Sequence, residues 1–125
     1  MTPRALVAAV LLPAALAMCA QRVRAEDAAD AAELALGQAR YQMFCASCHG
    51  VSGDGKGVAA TGLNPPPRDF GTGAFKYGGT DQDLFEVISN GAASKGGSPL
   101  MVAWSPVIPE GERWALVKYI RSLKK

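Results

Sequence analysis

The run Cys45-Ala46-Ser47-Cys48-His49 constrains this chain more than any other feature of its sequence. A C-x-x-C-H spacing reads as an attachment site for a c-type haem. Two thiols three residues apart, late in a helix, lie on one face, where each can add to a vinyl group of one porphyrin. The histidine that follows swings beneath the ring and offers an imidazole nitrogen to the iron. A covalently held haem is a large, flat, apolar body, and a short chain can fold around it as a core.

Three other uses of these residues each need something the sequence lacks. A structural zinc site takes four Cys or His ligands. Here His49 is the single histidine, and Cys45 and Cys48 are the only cysteines outside the first two dozen residues. A thioredoxin-like C-x-x-C belongs near a βαβ pattern, whereas this one has helical sequence before it and a glycine-rich stretch after it. A plain disulfide leaves His49 without a role.

From about Leu34 to Leu123 the chain resembles the class I (monohaem) bacterial cytochrome c family. The likeness rests on Gly37, Tyr41 and Cys45 in series, Cys45 to Gly50, Leu63-Asn-Pro-Pro-Pro67, Met101 with Trp104, and Trp114 to Ile120. It implies an all-α, cytochrome c-like fold: three main helices and long Gly/Pro-rich loops wrapped around one haem c, attached through Cys45 and Cys48. It also implies that a carbonyl of the proline loop accepts the second N–H of His49. Pro65, Pro66 and Pro67 are the candidates, and Pro66 reads equally as a plain turn-stiffener.

Ahead of that region, Arg4, an apolar run from Ala5 to Ala20 and a polar stretch from Gln21 to Ala25 follow the pattern of a secretory signal. The expected division is a signal over 1–25, an acidic flexible lead over 26–33 and a cytochrome c domain over 34–125. The apolar run holds Pro13 and falls short of the ~20 residues that span a bilayer, so a retained anchor is the lesser alternative. Leu16-Ala17-Met18-Cys19 resembles a lipoprotein signal, although the residue before such a cysteine is normally small. Removing 1–25 deletes three arginines and no acid, so thirteen basic residues become ten against eleven acidic ones. The net charge moves from +2 to −1. No nucleic-acid footprint remains.

Leu34, Gly37, Tyr41, Phe44 or Cys45, and Cys48 recur at helical steps on one face. Gly37 inside a helix costs ~1 kcal/mol against Ala, which makes sense where a second helix crosses closely. A late helix start at Gly37 is the alternative. Between Val51 and Gly79 lie eight glycines and three prolines. A loop of that length belongs in a compact domain only if it packs on something other than polypeptide. Thr80 to Asn90 reads as the second helix, with a Thr80-x-x-Asp83 cap, a Leu84/Val87/Ile88 face and Gly91 as the stop. The third begins near Pro109 and buries Leu116, Tyr119, Ile120 and Leu123.

Haem iron held by His alone keeps an open position, and a Met closes it. Met1 and Met18 leave with the signal, and Met43 sits two residues from Cys45 on the histidine side. That leaves Met101 as second ligand, against its reading as a core gap-filler. The family often reads Met-Pro-Ala-Trp where this chain has Met101-Val102-Ala103-Trp104. Arg68 pairs with a propionate or is a surface arginine. Phe70, Trp104 and Tyr77 line the haem cavity or serve as generic core.

The expected function is a periplasmic electron carrier, not an enzyme, exchanging single electrons with a redox donor and acceptor such as a dehydrogenase, an oxidase or another cytochrome. No stable membrane insertion is expected once the signal is removed, and membrane association follows if it is retained. One rival is a haem-bearing subunit of a membrane respiratory or dehydrogenase complex. A weaker one is a gas sensor or peroxidase-like enzyme, which needs an open iron.

Overall fold

The computed structural model describes residues 4–125, with side chains from residue 15 onward. The first three residues of the expected signal therefore lie outside the described residues. Regular structure among the described residues is helical: α1 spans Arg4–Phe44, α2 Ala46–His49, α3 Asp81–Asn90 and α4 Glu110–Ser122. Single 3-10 turns lie at Phe70–Thr72 and Ala92–Lys95. The all-α expectation holds, with α1, α3 and α4 as its three main helices.

Two compact units emerge, Met1–Ala32 and Glu33–Lys125. In the first, α1 begins at Arg4 rather than near Leu34, so the stretch 26–33, expected as a flexible lead, is helical. Ala28, Ala29, Ala31 and Ala32 explain this, because alanine has the highest helix propensity and needs no buried face to hold a helix. Cys19 is an exposed free thiol. Among the described residues, no helix is long and apolar enough to cross a membrane.

In the second unit burial starts where the periodicity does. Leu34 is half-buried, and Gly37 and Tyr41 are buried. Gly37 is where α4 crosses: a Cβ built there would lie 2.0 Å from the Ala115 carbonyl oxygen and 2.9 Å from the Tyr119 Cβ. Only a residue without a side chain allows two backbones so close. Tyr41 is fully buried, with its ring 5.2 Å from that of Tyr119. Arg40 donates to Glu112 at 2.8 Å, and Lys118 pairs with Glu33 at 2.7 Å, so the crossing is flanked by ion pairs.

α3 packs against α4 with Leu84 and Ile88 turned toward Leu116, Val117 and Ile120 in one core cluster. Its start carries the expected capping box: the Asp83 N–H donates to the Thr80 hydroxyl, and the Thr80 N–H to the Asp83 carboxylate. Arg121 of α4 donates to Asp81 at 2.7 Å and lies over the Phe75 ring. Arg121 thereby ties the start of α3 to α4 and to the loop before it.

Candidate haem site

The motif does not continue α1. The helix stops at Phe44, Cys45 sits at the joint, and Ala46–His49 forms a separate turn. The joint still holds by hydrogen bonds, with the Cys45 N–H donating to Tyr41 and the His49 N–H to Cys45, both at 2.9 Å. A helix end leaves its last carbonyls unpaired. Here the glycine-rich loop supplies the donors. The N–H groups of Ala59, Gly57 and Gly55 donate to the carbonyls of Ser47, Cys48 and His49 at 2.8, 3.1 and 2.8 Å. The close approach depends on Gly57, where an added Cβ would lie 2.2 Å from the Ser47 carbonyl oxygen. These glycines are site-builders that the sequence shows only as loop composition.

Cys45, Cys48 and His49 line a largely apolar cavity of about 980 Å³. Both thiols are free and half-buried. Burial, with Cys48 close by, pushes the Cys45 thiol up to about 12. Burial also lowers the pKa of His49, against the opposing pull of its contact with a backbone carbonyl. That carbonyl belongs to Arg68, 3.2 Å from His49 Nδ1. The expectation of a proline carbonyl is thus corrected by one residue, because the chain turns toward His49 only after leaving the proline run. A carbonyl can only accept, so the proton lies on Nδ1 and the Nε2 lone pair remains available to a metal.

Phe70 fixes the same imidazole from its face, with ring centroids 4.6 Å apart and planes inclined by 16°. It is buried and anchored by its N–H, which donates to the Gly53 carbonyl at 2.7 Å. Pro66 and Arg68 are exposed where they line the cavity. Tyr77 lines it half-buried.

Met101 and Trp104 line the cavity from the loop after α3. Three backbone bonds seat that loop. Trp104 N–H donates to Ile88 at 3.0 Å and Ser105 N–H to Ser89 at 3.1 Å, which pairs two of the carbonyls that the end of α3 leaves open. The Ala92 N–H donates to the Met101 carbonyl at 3.0 Å. The Trp104 ring meets Phe44 at 5.2 Å, so the loop also rests on the last residue of α1.

The structure thus brings all eight expected site residues, Cys45, Cys48, His49, Pro66, Arg68, Phe70, Met101 and Trp104, onto one cavity. The donor set fits a c-type haem: two thiols and a neutral imidazole on one short segment, a thioether on another, and apolar walls between. Among the described residues no group of three or more His, Cys, Asp or Glu side chains gathers in metal-binding array.

Residues 32–120 match the family described as cytochrome C oxidase, cbb3-type, subunit III. The chain belongs to this family. The match confirms the resemblance to class I cytochromes c and the all-α cytochrome fold that goes with it. It identifies a c-type cytochrome domain, a kind that carries haem c. One relative, the cbb3-type cytochrome c oxidase subunit CcoP of Azospirillum sp. (strain B510), is 33% identical over 97 residues. That alignment takes in 77% of this chain but only 30% of the relative. A solved structure, the Kuenenia stuttgartiensis reducing HAO-like protein complex, superposes with a TM-score of 0.61 at 31% identity. It covers 74% of this chain and 44% of the matched one. This member of the subunit III family therefore corresponds to one part of both longer chains.

Proposed function

We propose that the chain holds one haem c through thioethers from Cys45 and Cys48, with His49 and Met101 as axial ligands. It carries single electrons between redox proteins in the periplasm. The observation behind this reading is that two thiols, an imidazole and a thioether, from two distant stretches of chain, line one apolar cavity. When bound, the haem supplies one-electron iron chemistry, and His/Met ligation raises its potential. The chain's part is orientation. The Arg68 carbonyl and the Phe70 ring set the imidazole plane, which leaves Nε2 free to bond. Arg68, exposed at the rim, is available to a propionate, and Trp104 and Pro66 close the cavity walls. Residues 1–25 act as the export signal and 26–33 as the lead into the haem domain.

Met101 decides between carrier and catalyst. Oxidised wild type is expected to show the weak far-red sulfur-to-iron charge-transfer band, and the reduced protein to bind carbon monoxide poorly. Met101→Ala should lose the band, lower the potential and open the iron to carbon monoxide. Met101→His should stay six-coordinate at a lower potential. Free carbon monoxide binding by the wild type, with an unchanged spectrum in Met101→Ala, overturns the carrier reading in favour of a sensor or enzyme.

A second reading, the haem-bearing subunit of a membrane respiratory complex, draws on the family match and on a relative named as an oxidase subunit. Blue-native gels of solubilised membranes, stained for haem, test it. A band at the mass of a large complex favours the subunit, and a band at the mass of the isolated chain favours the carrier.

A further inference from the structure

We infer that Gly91 is a positioning residue for Met101, acting through the backbone of the Met101 loop. The inference rests on Met101 being the second ligand. Gly91 closes α3 with its N–H donating to the Val87 carbonyl at 2.9 Å and with φ +78° and ψ 160°, a conformation essentially confined to glycine. A Cβ added there would lie 2.8 Å from the Met101 carbonyl oxygen and 3.1 Å from both the Val102 carbonyl carbon and the Ala103 nitrogen. All three are backbone atoms, so no flexible side chain can yield.

The loop comes this close because the Ala92 N–H holds the Met101 carbonyl, and the carbonyls of Ile88 and Ser89 hold the N–H groups of Trp104 and Ser105. The space left by the missing side chain of Gly91 is where the Met101 peptide lies. A side chain at 91 must push that peptide outward, and the thioether moves with it.

Gly96 provides the control. Its φ is +76° with ψ 18°, a left-handed conformation that alanine enters at lower cost than that of Gly91, and an added Cβ would meet nothing within 4 Å. Alanine at either position strains the backbone, more at 91 than at 96, but only alanine at 91 is driven into the Met101–Ala103 backbone. Ala92→Pro offers an independent route. It removes the donor to Met101 at the first position of a 3-10 turn, where proline is tolerated.

The test uses the full haem-loaded chain and reads the far-red band, the reduction potential, carbon monoxide binding and the melting temperature. Gly91→Ala and Gly96→Ala should both melt lower than wild type. Only Gly91→Ala should weaken the band, lower the potential and speed carbon monoxide binding, with Ala92→Pro showing the same signature more weakly. If Gly91→Ala does not load haem, Ala92→Pro against Gly96→Ala decides. Wild-type band and potential in Gly91→Ala, or in Ala92→Pro where that variant decides, overturn the inference alone, as does an equal shift in Gly96→Ala. A wild type without the band overturns the Met101 reading and the inference with it.

Discussion

The two sides of the haem cavity are built by different means. On the histidine side everything chemical is contiguous, Cys45 to His49, and the backbone bonds that hold it come from the next ten residues, through Gly55, Gly57 and Ala59, with Arg68 and Phe70 further on holding the imidazole. On the methionine side a single thioether depends on a loop seated against the end of α3, through Ile88, Ser89 and Ala92. The first side is local and over-determined, since losing one bond leaves the others. The second is a contact between elements, and a shift of α3 moves Met101. Attachment and fold should therefore respond most to changes on the histidine side, while potential and ligand access should respond most to changes on the methionine side.

The largest effect expected is on the histidine side. The glycine-rich second unit has a small buried apolar cluster, centred on Tyr41, Ile108 and Leu116. A domain of this size buries little on its own, so on the proposed reading the haem supplies much of the missing interior. Cys45→Ala with Cys48→Ala should abolish the haem-stained band on denaturing gels and leave the chain unfolded by circular dichroism and proteolysis. A protease-resistant, cooperative fold in the haem-free double variant would falsify the idea that the haem is the core.

Next comes Gly57→Val, which puts a branched side chain against the Ser47 carbonyl. Overpacking of this kind costs about 1–3 kcal/mol. Because the strained contact is with α2 itself, the variant should lose stability and yield of haem-loaded protein while its loaded fraction keeps the wild-type far-red band. A lost band with normal yield would mean that the two sides are coupled, and the comparison would fail.

The same contrast explains what the amino-acid sequence alone makes legible. The histidine side is a motif, and a motif survives translation into three letters. Gly37 was legible because a glycine interrupting a helical apolar face has few explanations, and the close Ala115 carbonyl is one of them. Met101 stands out by elimination among four methionines, and the structure places it on the cavity wall. The Arg68 carbonyl was not, because every residue carries a carbonyl and only the path of the chain decides which one reaches His49. The roles of Gly57 and Gly91 were hidden for the same reason: their partners are backbone atoms of residues whose names carry no signal. The start of α1 was missed because amphipathic periodicity marks where a helix is buried, and alanine-rich sequence stays helical without burial.

The smallest effect expected sharpens the comparison by using the other end of α3. Its N-terminus is capped locally: the Asp83 N–H donates to the Thr80 hydroxyl at 3.1 Å, and the Thr80 hydroxyl and N–H donate to the Asp83 carboxylate at 2.6 and 3.0 Å. Thr80→Ala should cost about 1 kcal/mol. These bonds from Thr80, the side-chain one first, hold the Asp83 carboxyl below its ordinary value of 3.8. A carboxyl whose pKa is lower folded than unfolded stabilises the fold above the unfolded value, and that contribution disappears as pH falls through the folded one. Melting temperature measured from pH 6 down to about pH 3 should therefore fall less steeply in Thr80→Ala than in wild type, because the variant has already lost part of what acid removes. The far-red band and the potential at neutral pH should not move, since the bonds lost at Thr80 are made with Asp83 at the start of α3 and not with the segment from Met101 to Ser105. If they do move, α3 shifts as a rigid rod when its start is loosened, and the methionine side is governed by the whole helix rather than by its last turn.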